Sequence, residues 1–205
     1  MTAGKVLRIV LVVVMLLAAL AALFQFVYRP WQMNWGATED EISRSMPGDD
    51  IVEDPGFNAT RAVTIQAPPE HIWPWLVQIG YGRAGFYSWD ILDNANVPSA
   101  TEILPEYQDL EVGGFVPLSE GAYVEVVEME LNSHLLLVVH PDALFTWSWG
   151  LYPLDAQHTR LVSRLRWAVD SWGHRLFLET FEIIMMRKSL LGIQQRAEAM
   201  TLAGP

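Results

Sequence analysis

The strongest pattern in the chain is an uninterrupted apolar run near its N-terminus. Residues 9–27 contain Gln25 as their only polar member, and about 20 apolar residues are enough to cross the hydrocarbon core of a bilayer. Tyr28 and Trp31 follow directly, as aromatic residues often do at a membrane–water interface. The pattern therefore predicts a membrane anchor over residues 1–30, which contacts the lipid bilayer through residues 9–27.

The charges that flank this run indicate how it is oriented in the membrane. Lys5 and Arg8 precede it and only Arg29 follows closely, so the positive-inside rule places the N-terminus in the cytoplasm. We therefore expect a single-pass protein of the cell membrane with an extracytoplasmic domain. A cleaved signal peptide is the alternative, because residues 19–21 (Ala-Leu-Ala) fit a small-residue cleavage site.

Residues 31–58 are polar and acidic, with seven acidic residues and one basic residue. Thr38 and Glu41 have the spacing of a capping box, which predicts a short helix beginning at Glu39. The simplest interpretation is an acidic connector that holds the following domain off the membrane. Its clustered acids lack the spacing and central glycine of a calcium loop, so we predict no metal site there.

From residue 59 onward the pattern changes to short alternating segments, and we predict one domain over residues 59–205. Residues 60–66 alternate as a half-buried strand does, and residues 68–80 then form a helix that begins with prolines and ends at a glycine. Further strands are predicted near residues 112–118, 123–128, 135–139, 144–154 and 159–169, and a long helix over residues 172–200. Strands this close in sequence pair antiparallel, so the fold class is α+β.

The last two predicted strands indicate a sheet with two unlike faces. One face is apolar and carries Phe145, Trp147, Trp149, Leu151, Leu161, Leu165 and Trp167. The other face carries Arg160, Arg164 and Arg166, and we predict that Arg164 and Arg166, like Glu125 and Glu128, point into solvent. We expect the long helix to cover the apolar face with Phe177, Phe181, Ile184 and Met185.

Composition narrows the possible function classes. The chain of 205 residues has no cysteine and a formal net charge of −11 at pH 7. Without cysteine there is no disulfide, thiolate nucleophile or thiolate-bound metal, and an acidic chain lacks the clustered cations that nucleic acid requires. Its histidines have no metal-ligand spacing. We predict no metal, no cofactor and no nucleic-acid partner.

One glycine-rich motif, Gly80-Tyr-Gly82-Arg-Ala-Gly85, matches G-x-G-x-x-G. A dinucleotide site needs these glycines to follow a strand and open a helix, but here they follow a predicted helix. We therefore predict a helix end and a tight loop. The aromatic residues just beyond, Phe86, Tyr87 and Trp89, could then lie at the mouth of a cavity.

The order of elements resembles the helix-grip fold of the START/Bet v1-like superfamily, also called SRPBCC or polyketide cyclase-like. The resemblance is carried by residues 65–75 (IQAPPEHIWPW), residues 110–113 (LEVG) and residues 159–162 (TRLV). Residues 35–38 (WGAT) and 85–90 (GFYSWD) look like a membrane-anchored bacterial subgroup. In this fold a curved antiparallel sheet wraps around a long C-terminal helix.

The resemblance implies a cavity between sheet and helix for a hydrophobic small molecule or lipid. Such a cavity needs aromatic and aliphatic walls with few polar groups. The expected ligand-binding residues are Phe86, Tyr87, Trp89, Phe145, Trp147, Trp149, Leu165, Trp167, Phe181 and Met185. The same residues would also fill a solid core, which is the alternative interpretation.

Three functional hypotheses follow. The first is a membrane-tethered binding or carrier protein for a hydrophobic small molecule or lipid. The second is a cyclase or dehydratase that uses the same cavity, with Tyr87, Asp90 and His71 as the residues to test, although no catalytic constellation stands out. The third is an accessory subunit that packs against a protein partner in the membrane.

Overall fold

The computed structural model describes residues 2–139, 145–169 and 171–203. The helices are α1 (Ala3–Leu23), continued by a π-helical turn (Phe24–Tyr28) and α2 (Arg29–Met33), then α3 (Glu39–Ser43), α4 (Pro69–Val77), α5 (Asp90–Asp93), a 3₁₀ turn (Pro105–Tyr107) and α6 (Trp172–Ala203). The strands are β1 (Phe57–Ile65), β2 (Phe115–Ser119), β3 (Ala122–Glu130), β4 (His134–Val138), β5 (Phe145–Pro153) and β6 (Thr159–Trp167). The predicted start of a strand at residue 144 lies outside the described residues.

The described strands form one antiparallel sheet in the order β1-β6-β5-β4-β3-β2. The first strand, β1, pairs with the last, β6, with Phe57 opposite Trp167. On its other side β6 pairs with β5, with Trp167 opposite Phe145. Irregular register in β2 and β3 bends the sheet, and α6 packs against β1 and α4. This topology confirms the predicted α+β helix-grip fold.

The inner face of the sheet is apolar, as the alternation predicts. Trp149, Leu161 and Leu137 are fully buried there and belong to one continuous core with α4 and α6. Alternation identifies this face correctly because each strand residue points to the side opposite its neighbour.

The prediction of which face of α6 meets the sheet was wrong for Phe177, Phe181 and Ile184 and right only for Met185, which lines the space between the helix and the sheet. Phe177 and Phe181 are 60% and 50% exposed, and Ile184 is exposed as well. The buried stripe consists of Ile183, Met186, Leu190, Ile193 and Ala197, together with Glu179 and Glu182. Both stripes have helical spacing, but the buried one carries acids that pair with arginines on α2 and β1.

The outer face of the sheet is covered by residues 36–53, and the prediction that Arg164 and Arg166 are solvated was also wrong. The side chain of Arg164 is only 3% exposed. Its five N–H groups all have acceptors: Thr60 Oγ1 at 2.9 Å, Asp49 Oδ2 at 2.6 Å, and the carbonyl oxygens of Glu41, Ile42 and Arg44 at 2.8, 2.9 and 2.7 Å. Glu128 is exposed, as predicted.

Neighbouring arginines hold the same segment. Arg160 makes a bidentate pair with Glu41 at 2.7 Å, and Arg166 donates to the carbonyl oxygen of Val52 at 2.7 Å. Glu41 also completes the predicted capping box with Thr38. Residues 36–53 therefore form a packed layer on the sheet, because Glu41, Asp49 and several backbone carbonyl groups accept from the arginines of β6.

Replacement of Arg164 by methionine should lower the free energy of unfolding by about 3–5 kcal/mol. The substitution removes the shared donor of three carbonyl groups and the nearest cation of Asp49 at the contact between the outer layer and the sheet. Chemical denaturation of the full chain in detergent measures this difference.

The matched control is Arg44→Met, which removes a partly exposed arginine that pairs with the exposed Asp40 and lies over the ring of Tyr152. A surface ion pair of this kind contributes less than about 1 kcal/mol. Equal losses in the two variants would contradict the role assigned to Arg164.

Candidate functional site

A cavity of about 180 Å³ lies between the inner face of the sheet and α6. Its apolar lining consists of Phe86, Leu118, Phe145, Trp147, Leu165, Met185 and Met186. Its polar lining consists of Ser88, Asp93, Glu182 and Ser189. The space is therefore largely apolar, with a small polar part contributed mainly by α5, α6 and the loop before α5.

The loop that supplies Phe86 and Ser88 is held by its own glycines. Gly80 and Gly85 exchange two backbone hydrogen bonds at 3.0 and 3.1 Å, and both have positive φ, which glycine adopts without strain. This structure confirms the predicted helix end and tight loop. Gly192 of α6 lets the loop approach closely, because a Cβ there would lie 2.3 Å from the carbonyl oxygen of Tyr87.

The aromatic wall of the cavity is fixed by packing and by one hydrogen bond. Trp147 donates from Nε1 to Ser163 Oγ at 2.9 Å, and its ring lies 6.4 Å from that of Phe86. Trp149 packs behind Trp147 with ring centroids 5.0 Å apart. The wall therefore has a defined shape on the side of the sheet.

Glu182 forms a buried ion pair with Arg61 at the edge of the cavity. Arg61 also donates to the backbone and side-chain oxygens of Gln32, at 2.7 and 3.1 Å. Burial raises the pKa of the Glu182 carboxyl, and the guanidinium of Arg61 opposes that rise. The pair links α2, β1 and α6, so the end of the anchor helix and the wall of the cavity share one polar contact.

Two other polar groups in the cavity lack partners among the described residues. They are the hydroxyl of Ser189 and the Oδ1 atom of Asp93. Burial raises the pKa of Asp93, and the nearby charge of Asp90 adds to this while a hydrogen bond with Ser88 opposes it. Since a buried polar atom without a partner is costly, these atoms are places where a ligand could form hydrogen bonds.

The structure brings together half of the sequence-predicted site residues. Phe86, Phe145, Trp147, Leu165 and Met185 line the cavity. The other predicted residues do not line it: Tyr87 and Trp149 are buried in the core, Trp167 lies at the end of β6, and Trp89 and Phe181 are exposed.

Sequence reasoning missed Leu118, Met186 and the four polar residues of the lining. A signal was present, because Glu182, Met185, Met186 and Ser189 follow the i, i+3, i+4, i+7 spacing of one helix face. An acid on an apolar stripe indicates a buried partner or a functional group. Asp93 gave no such signal, since its place at the cavity depends on a loop.

The residues named for the enzymatic hypothesis make structural contacts, and Tyr87 and Asp90 are linked through Ser99, whose hydroxyl accepts from the Tyr87 backbone N–H at 3.0 Å. His71 Nδ1 lies 2.9 Å from Thr201 Oγ1, the Tyr87 hydroxyl donates to the carbonyl oxygen of Trp75 at 3.0 Å, and Asp90 accepts from Ser99. Burial also raises the pKa of the Tyr87 hydroxyl above its ordinary value. No contact among the described residues joins these three side chains.

Asp93→Asn should stabilise the protein near neutral pH. Because the folded-state pKa of Asp93 lies above its ordinary value of 3.8, the stability of the wild type falls as pH rises through the folded-state pKa. The gain in melting temperature of Asp93→Asn over the wild type should therefore be larger at about pH 7 than at about pH 4.

Asp54→Asn makes the same change of charge at an exposed position and serves as the control. A gain that is equal at both pH values, or equal in the two variants, would contradict the assignment to Asp93.

Comparisons with known proteins bear on the fold. No protein-family model matches the chain, and no curated protein does. Similar solved structures include a polyketide cyclase-like protein of Corynebacterium glutamicum, with 17% identity, 69% of this chain and 91% of that chain covered, and a TM-score of 0.37.

Two other similar structures have comparable scores. One is the self-sacrificing resistance protein CalC of Micromonospora echinospora, with 11% identity, coverage of 69% and 94%, and a TM-score of 0.47. The other is the Aha1 dimer of Colwellia psychrerythraea, with 16% identity, coverage of 69% and 96%, and a TM-score of 0.45. A likeness at this level carries no ligand or activity over to this chain, whose own element order and sheet topology are those of the helix-grip fold.

Proposed function

We propose that this chain is a membrane-tethered protein that binds a hydrophobic small molecule or lipid group in the cavity between its sheet and α6. The observation that carries the proposal is the apolar cavity with unpartnered polar atoms on Ser189 and Asp93. An apolar ligand with a hydroxyl, amide or amine group would fill the space and satisfy these atoms.

The volume of the cavity limits what it encloses. At about 180 Å³ it is slightly larger than an engineered cavity of about 150 Å³ that binds benzene, and smaller than the roughly 300–1,000 Å³ of drug-sized sites. The enclosed part of the ligand is therefore one ring or a short chain segment. A longer lipid would leave the rest of its length outside.

The N-terminal helix supports the membrane part of the proposal. Among the described residues one helix, Ala3–Met33, is long and apolar enough to cross a membrane. Arg29, just beyond the apolar run, pairs with Glu179 of α6 at 2.8 Å, so the domain lies directly at the end of this helix. Such a protein would take up its ligand beside its own bilayer, outside the cytoplasm.

The enzymatic alternative lacks a supporting observation, because His71, Tyr87 and Asp90 are not among the residues that line the cavity. The accessory-subunit alternative would use the exposed apolar face of α6, with Phe177, Phe181 and Ile184, as the contact with a protein partner.

Ser189→Leu should abolish ligand binding without loss of stability. Leucine fills part of the cavity and removes an unpartnered hydroxyl, and filling a cavity commonly adds about 0.5–2 kcal/mol. The measurement is mass spectrometry of organic extracts from the purified full chain, which should hold one apolar compound that is missing from Ser189→Leu.

Ser45→Leu is the control, because it makes the same substitution at an exposed position on the opposite side of the sheet. Bulk membrane lipid should be equal in all three extracts. If no compound distinguishes Ser189→Leu from the wild type and the control, the cavity is not a ligand site.

The orientation can be tested because the chain has no cysteine. A cysteine introduced as Ser45→Cys should react with a membrane-impermeant maleimide in intact cells. A cysteine introduced as Thr2→Cys should react only after lysis. The reverse labelling pattern would place the domain in the cytoplasm.

A further inference from the structure

A groove separate from the cavity lies where the anchor helix meets α6. Its volume is about 450 Å³. Tyr28 and Trp31 contribute from the anchor side, Trp89 from the loop before α5, and Ile184, Arg187 and Lys188 from α6. Neither the cavity nor its proposed ligand involves this surface.

The groove lies at the level of the bilayer headgroups. A helix rises about 1.5 Å per residue, so Tyr28 and Trp31 lie within about 6 Å of the end of the apolar run at Val27. The headgroup region of each leaflet is about 5–8 Å thick. The anchor therefore brings this groove into the headgroup region of the membrane that it spans.

The N-terminal half of α6 points toward the same membrane. Arg29 contacts Glu179, and further along both segments Arg187 lies over the ring of Trp35 at 5.1 Å. The two segments therefore run in the same direction, and residues before Glu179 lie closer to the bilayer. Exposed Phe177 is thus at the depth where membrane proteins concentrate aromatic residues.

The charges of the groove differ from most other charges of the domain. Arginines on α2, β1 and β6 pair with carboxylates. Arg187 and Lys188, in the described part of the chain, form no ion pair, and each lies over a tryptophan ring instead. Arg83 and Arg196 also form no ion pair there, but both donate to backbone carbonyl oxygens. In a chain with a net charge of −11, two cations without carboxylates are available for an external anion.

We propose that this groove binds the phosphate of an anionic phospholipid from the membrane that holds the anchor. Arg187 and Lys188 bind the headgroup, and the acyl chains lie along Phe181 and Ile184 toward the bilayer. Continuity with the anchor identifies the occupant as lipid, since a phospholipid supplies both the anion and the apolar chains at this depth. This inference rests on the membrane position of α1 and is independent of the ligand in the cavity.

The anchor provides the affinity for the membrane, and the two cations provide the choice of headgroup. A lysine or arginine near an anionic bilayer surface contributes about 1 kcal/mol, which corresponds to about a fivefold preference for each cation. The wild type should therefore retain phosphatidylglycerol over phosphatidylcholine by more than about tenfold.

The test is native mass spectrometry of the full chain released from nanodiscs that contain equal amounts of these two lipids. Arg187→Gln and Lys188→Gln should each reduce retention of phosphatidylglycerol by about fivefold, and the double variant should lose the preference. Arg44→Gln, which removes a cation remote from the anchor, should retain it.

Four outcomes would overturn the proposal: no preference in the wild type, an unchanged preference in the double variant, a mass of two chains without lipid, or displacement of the lipid by inorganic phosphate. The last two would identify a second copy or a free anion as the occupant. Extraction of the cavity ligand from the Arg187 and Lys188 variants should be unchanged, which separates this result from the test of the proposed function.

Discussion

A buried arginine needs acceptors for its N–H groups, and the architecture of this protein depends on two buried arginines, one on each face of the sheet. On the outer face, Arg164 draws residues 41–49 onto the sheet through three carbonyl groups and Asp49. On the inner face, Arg61 joins the end of the anchor helix to α6 through Gln32 and Glu182. The sheet therefore carries a polar contact on each face. The contact made by Arg61 joins the N-terminal helix to the domain.

This arrangement connects the cavity to the end of the N-terminal apolar helix. Glu182 faces the cavity and pairs with Arg61, and Arg61 in turn holds Gln32 near the end of the anchor helix. One turn earlier on α6, Glu179 pairs with Arg29. Both acids lie on the buried stripe of α6, so the cavity is built beside the junction with the anchor. The opposite stripe, with Phe181 and Ile184, remains exposed.

Much of the fold could be predicted from the sequence because its signals are local. The alternation in β5 and β6 identified their two faces, and Thr38 with Glu41 identified the start of α3. These signals depend on neighbours within a few residues, so they hold whatever the rest of the chain does. Which face of α6 is buried could not be predicted in this way. Two apolar stripes compete along that helix, and the choice between them depends on arginines located more than 100 residues away.

The sequence by itself determined the apolar N-terminal helix, the order of strands and helices, and the aromatic inner face that includes Trp147. Only the tertiary structure decided that Arg164 is buried, that Phe181 is exposed, and that Asp93 and Ser189 line one cavity with Glu182. The physical reason is that periodicity records which side of an element a residue occupies, whereas the burial of a charge depends on a partner brought by another element. Charged side chains in the middle of a strand or helix were therefore misjudged, and those same charges organise the structure.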